Sequence, residues 1–78
     1  MVTDELTFSG DKLREIRKKS GKNQTEVANF LEITPQSYGE MERGEINPSS
    51  NNLAKLCILF DCPIQTFFLI PEKFLTKV

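Results

Sequence analysis

Apolar residues recur three and four apart in successive stretches of the chain, with polar clusters between them, which is the spacing of amphipathic helices. Leu13 and Ile16 define the inner face of a first helix from about Ser9 or Asp11 to Ser20, with Phe8 upstream. Gly21 stops it by taking positive φ. Asn23 and Glu26 form a capping-box pattern that opens a second helix, Gln24 to Leu31. Val27, Ala28, Phe30 and Leu31 supply its core face. A short turn follows, Glu32-Ile33-Thr34, with Ile33 as its apolar plug. Thr34 then caps a third helix whose first position is Pro35, where no backbone N–H is needed. Tyr38 and Met41 point inward, and Gly44 ends the helix.

A loop rich in Asn, Ser and Pro leads to a fourth helix, Ser50 to Phe60. Leu53, Leu56, Cys57, Leu59 and Phe60 form its stripe, and Ile58 falls off it, facing outward or toward a partner. Asp61-Cys62-Pro63 is a break. A fifth helix is predicted from about Ile64, containing Phe67, Phe68 and Leu69 and ending at Pro71. The run FFLI is apolar enough for a strand, but it is short and has no evident mate. The expectation is an all-α, five-helix domain over residues 9–70. A flexible arm, 1–8, precedes it, and a short tail, 71–78, continues at helical spacing toward a dimer interface.

Seventy-eight residues make one small domain with a modest core. The net charge of −1 is neutral for a nucleic-acid binder, but the distribution is uneven. Residues 11–22 carry six basic and two acidic groups, and the rest of the chain carries four basic and nine acidic. The basic stretch either faces phosphates or is a solvated helix face laced with ion pairs. There is no His, so no nucleophile–base set, and an enzyme is not expected. Cys57 and Cys62 read as a buried filler and a semi-exposed thiol rather than a disulfide framework or a metal site. Neither a cofactor nor a metal is expected. The opening residues lack the basic and apolar regions of a signal peptide, and no run reaches the ~18 apolar residues of a membrane span. A reducing cytoplasm is the expected setting.

The segment NQTEVANFLEITPQSYGEMERG, Asn23–Gly44, holds two short helices joined by a tight turn. With LREIRKKSG before it and NPS…LAKLCILFDCPIQTFF after it, the chain resembles the lambda-repressor-like helix-turn-helix family, the phage repressor and Cro type. The resemblance covers about residues 10–69. It implies a sequence-specific regulator that binds double-stranded DNA as a homodimer on a palindromic operator, with the third helix in the major groove.

By position, the resemblance makes Gln36, with Pro35, Ser37, Gly39 and Glu40, the base-reading edge. Asn23, Gln24, Lys22, Arg43, Asn47, Ser49 and Asn51 take phosphate-contacting roles. Arg17 and Glu42 match a structural salt bridge. Ile64, Phe67, Phe68, Ile70, Phe74 and Leu75 are too many large apolar groups for one terminal segment to bury, so they form the expected dimer face, with Phe67 a candidate for the monomer core. A Gln amide suits the N7 and N6 edge of adenine, although Gln36 also reads as a solvated helix residue.

Three positions depart from the family pattern. Lys22 replaces an apolar residue, Glu32 replaces the glycine of the turn, and Glu40 puts a carboxylate on the DNA-facing edge. Gly39 inside a helix costs about 0.5–1 kcal/mol against Ala, which either close approach of the helix to a protein or nucleic-acid backbone or neutral drift would explain. The alternative reading is a protein-interaction module on the same fold, an antitoxin-like or accessory regulator that partners another regulatory protein.

Overall fold

The first helix begins where a serine hydroxyl can take up a free backbone N–H. In the computed structural model, which describes residues 6–75, Ser9 Oγ accepts from Lys12 N at 3.2 Å, and α1 runs Gly10–Lys19. Asn23 and Glu26 close the capping box reciprocally at 2.8 Å each, and α2 spans Gln24–Leu31. Thr34 caps α3, Pro35–Glu42, and Ser49 caps α4, Ser50–Phe60. The order of four principal helices is thus set by one polar cap per helix.

Beyond α4 the structure corrects the sequence reading. Ile64–Phe67 is a single 3₁₀ turn, and Phe68–Leu69 is extended (β2) rather than the continuation of a fifth helix. It pairs antiparallel with Thr7–Phe8 (β1), placing Thr7 opposite Leu69 and Phe8 opposite Phe68. Ser9 N continues the link by donating to Phe67 O at 2.8 Å. The apolar run after Pro63 therefore has a mate, supplied by residues assigned from sequence to the arm. Phe8 and Phe68 pack edge to face across this ribbon, with ring centroids 6.0 Å apart, which is the cross-strand contact that rewards pairing over helix. A final short helix, α5, covers Glu72–Leu75. Residues 1–5 of the expected arm and 76–78 of the expected tail lie outside the described residues.

The core gathers Leu13, Val27, Ala28, Leu31, Tyr38, Met41, Leu56 and Phe67. Two expectations change here. Phe30 lies on the flank of α2 and is 42 % exposed, because Val27, Ala28 and Leu31 already complete the inner stripe. Phe67 is fully buried and touches Phe60, so it belongs to the monomer core rather than to a dimer face. Ile58 faces outward, 73 % exposed.

One contact escaped the sequence reading. A Cβ on Gly10 would lie 2.3 Å from Met41 O and 2.4 Å from Glu42 O. The N-terminus of α1 is therefore pressed against the C-terminal carbonyls of α3. Positive and negative helix ends meet there, and only glycine fits.

Candidate nucleic-acid interface

The surface of interest begins with the way α3 is held from behind. Tyr38 and Met41 fill the core beneath it. Arg17, one turn beyond Leu13 on α1, enters the same interface. It gives Glu42 two hydrogen bonds, Nε to Oε2 and Nη2 to Oε1, the second at 3.1 Å, and a third from Nη1 to Lys22 O at 3.0 Å. Glu42 is 2 % exposed and Arg17 9 %. A fork-to-fork pair of this kind fixes orientation as well as energy. Burial pushes the Glu42 carboxyl up, yet the hydrogen bonds from Arg17, supported by Tyr38 and Gln24, outweigh it and hold the group below the usual carboxylate range. The Tyr38 hydroxyl is buried beside the carboxylate without a hydrogen bond of good geometry, so its support is electrostatic. Burial, followed by the adjacent Glu42, drives the phenol well above its ordinary value, and it stays neutral.

Gln24 joins this cluster. Its Nε2 donates to Glu42 Oε1 at 2.9 Å. That bond draws the N-terminus of α2, with its free N–H groups and positive dipole end, against the last turn of α3. The second amide hydrogen of Gln24 remains available. Gly39 is buried under the same strip. A Cβ there would stand 3.2 Å from Arg43 Nη1 and 3.8 Å from Gln24 Oε1. The glycine thus makes room for two long polar side chains to lie across the helix. It offers no side chain and little surface of its own to a base.

The remaining residues of the expected edge are placed variously. Pro35 and Gln36 are exposed, and Ser37 and Glu40 are half-buried. Ser37 Oγ accepts from Thr34 Oγ1 at 3.0 Å. Arg43 reaches Glu45 Oε2 at 2.7 Å in an exposed pair. The hydrogen bond to Glu45 raises the guanidinium pKa, and the charge of Glu40 adds to it. Asn23 is exposed, with its Oδ1 used in the cap. Lys22 is half-buried. Asn47, Ser49 and Asn51 are exposed on the loop and first turn leading into α4, where Ser49 Oγ accepts from Asn52 N at 3.1 Å.

The turn between α2 and α3 takes the shape that glycine usually supplies. Glu32 sits at φ 61°, ψ 41°. Ile33 N donates to Ala28 O at 3.0 Å and Glu32 N to Asn29 O at 3.1 Å, the pair of bonds of a Schellman close. Lys55 on α4 reaches Glu32 Oε1 at 3.1 Å, so the strained residue is tied to the fourth helix.

A family model described as helix-turn-helix matches residues 13–67, more than half of the chain. The chain belongs to that family. It is a helix-turn-helix domain of the phage-repressor and Cro type. It is similar to the HTH-type transcriptional regulator PuuR of Escherichia coli K12, 29 % identical over 72 residues, which cover 92 % of this chain and 39 % of PuuR. The chain therefore spans about two-fifths of the length of that curated relative. Among solved structures it is similar to the restriction-modification controller protein C.AhdI of Aeromonas hydrophila. That match has a TM-score of 0.69 and 32 % identity, and covers 76 % of this chain and 89 % of the controller. The DNA-binding domain of the P22 c2 repressor shares the fold, with a TM-score of 0.69 at 23 % identity over 85 % of this chain and 84 % of that one. Among the described residues no helix is long and apolar enough to cross a membrane.

Proposed function

We propose that this chain binds double-stranded DNA as a homodimer and regulates transcription from a pseudo-palindromic operator, with α3 of each copy in the major groove. The observation that carries this reading is the two-sided character of α3. Its inner side is fixed by Tyr38, Met41 and the Arg17–Glu42 pair, while Pro35 and Gln36 at its N-terminal end stand exposed. A helix-turn-helix reads bases with the N-terminal residues of its second helix. In this reading Gln36 meets a base edge, and Ser37 and Glu40 flank it. Glu40 can accept from cytosine N4 and disfavours other partners there.

Phosphate contacts come from the strip beside α3. The N-terminus of α2 presents Lys22, Asn23 and the free amide hydrogen of Gln24. Arg43 exchanges Glu45 for a phosphate oxygen when DNA arrives. Because α3 has no Lys or Arg, affinity rests on this strip, on the loop at Asn47, Ser49 and Asn51, and on pairing of two copies. The relevant apolar surface is Ile58, Ile64, Leu69, Phe74 and Leu75, all about half exposed or more. Phe68 and Ile70 lie half-buried beside it. Two copies joined there would present their α3 helices ~34–36 Å apart, one turn of B-DNA.

Selection of bound duplexes from a random pool tests the proposal. The expected product is an inverted repeat whose binding weakens steeply with salt. Gln36→Ala should cost about 1–3 kcal/mol of discrimination at one symmetric pair of positions, with the melting temperature unchanged. A pool that yields no enriched sequence, or binding indifferent to salt, overturns the DNA reading. That result would favour the interaction-module alternative, which the carboxylate at Glu40 and the Arg43–Glu45 pair support.

A further inference from the structure

The two cysteines are separated by four residues, and the chain between them turns back on itself. Helix α4 ends as α2 does, with a residue in the left-handed region: Asp61 at φ 51°, ψ 54°. Cys62 N donates to Cys57 O at 3.1 Å, and Asp61 N to Ile58 O at 3.4 Å. In this Schellman close the residue that donates the outer bond and the residue that accepts it characteristically bring their side chains together over the helix end. At the end of α2 those two residues are Ala28 and Ile33, both apolar and both part of the core or packed against it. At the end of α4 they are both thiols. The single N–H···O link also bounds the backbone. With standard bond lengths on either side of it, the two Cα atoms cannot lie more than about 7 Å apart, the outer limit of a disulfide. Both cysteines are half-buried against the core and both are free.

We propose that Cys57 and Cys62 form a reactive dithiol that closes reversibly to an intrachain disulfide, clamping the end of α4 to the 3₁₀ turn that carries Ile64 and Phe67. The oxidant is a low-molecular-weight disulfide of the glutathione class. One protein thiolate attacks a sulfur of the small disulfide, forming a mixed disulfide and expelling one small thiolate. The second protein thiol, deprotonated, attacks the protein-bound sulfur and expels the other. The protein loses two protons and two electrons, and one small disulfide becomes two small thiols. Burial first, and the neighbouring Cys62 second, push the Cys57 thiol up. In the proposed sequence Cys62, on the turn beyond the helix, exchanges first, and Cys57, within the helix, resolves the adduct.

The whole chain is equilibrated with mixtures of oxidised and reduced glutathione, quenched in acid, alkylated and weighed, both native and in urea. The native chain should lose both alkylation sites together, as a monomer about two mass units lighter. It should half-oxidise at an oxidised-to-reduced ratio roughly tenfold lower than the urea-unfolded chain, a difference of about 30 mV in potential. Cys57→Ser should instead trap a glutathione adduct on Cys62. The proposal is overturned if the native chain carries independent adducts on the two cysteines, forms only interchain disulfides, or oxidises no more readily than the unfolded chain. Trapping of the adduct in Cys57→Ser at wild-type stability separates loss of the resolving thiol from misfolding.

Discussion

The two halves of this small domain are held by different forces. From Ser9 to Gly44 the three helices are joined by specific, directional contacts. A buried Arg17–Glu42 pair is extended by Gln24, and the Gly10 backbone is seated on the carbonyls of α3. From Ser49 to Leu75 the chain is held by apolar contact and a two-residue ribbon, and it leaves Ile58, Leu69 and Leu75 more than half exposed. Directional contacts set angles, while apolar contact sets only proximity. The first half is suited to holding a helix at a fixed attitude, and the second to meeting another surface.

The largest test of this contrast is Glu42→Ala. It strands a buried guanidinium and should cost about 3–5 kcal/mol of stability, read as a lowered denaturation midpoint. A loss below about 1 kcal/mol would mean that the first half does not depend on the pair. The same group should give the native chain an acid limit. Its pKa is depressed on folding, so its stabilisation is complete above the unfolded carboxylate value near 4.3 and is lost as pH falls through the lower folded value. Glu42→Gln should flatten the melting temperature against pH in that range, and an unchanged slope would remove this assignment. Gly10→Ala comes next. Forcing a methyl onto two backbone carbonyls should cost about 3 kcal/mol, whereas Gly21→Ala, with no atom within 4 Å of the added methyl but a φ of +73°, carries only the backbone penalty, ~1 kcal/mol.

In the second half the expected response is of another kind. Leu69→Lys removes exposed apolar area, so the midpoint should move by less than about 0.5 kcal/mol, while sedimentation should shift from dimer toward monomer. Equal loss of stability and association would erase the distinction between the halves. The smallest effect is expected at their junction. Glu32→Gly relieves a left-handed non-glycine residue but gives up the bond to Lys55 and loosens the unfolded chain. These nearly cancel, so a net gain of no more than about 0.3 kcal/mol is expected by thermal melt.

What could be read from the sequence divides along the same line. The helices α2 and α3 announce themselves through Asn23 and Thr34 as caps, and α1 and α4 through apolar spacing alone; the structure adds Ser9 and Ser49 as the caps of the latter two. The pairing of Arg17 with Glu42 followed from resemblance, since nothing in the spacing of two residues 25 apart reveals contact. The segment after Pro63 was misread because helix and strand patterns coincide over four apolar residues. Its strand partner, Thr7–Phe8, lies some sixty residues away. Gly10 gave no local signal, because its reason is a crossing helix rather than a turn. Cys57 and Cys62 looked unrelated because an αL residue between them folds the chain back only when an acidic residue, Asp61, accepts a conformation that glycine normally fills.

The strip over Gly39 has a consequence for substitution along α3. Arg43 and Gln24 rest in the notch that the missing methyl leaves. A methyl at position 39 would push the Arg43 guanidinium aside by a few tenths of an ångström and would only touch the Gln24 amide. On the proposed reading, specificity is therefore changed at the exposed Gln36 without disturbing this strip, whereas a change at position 39 resets Arg43.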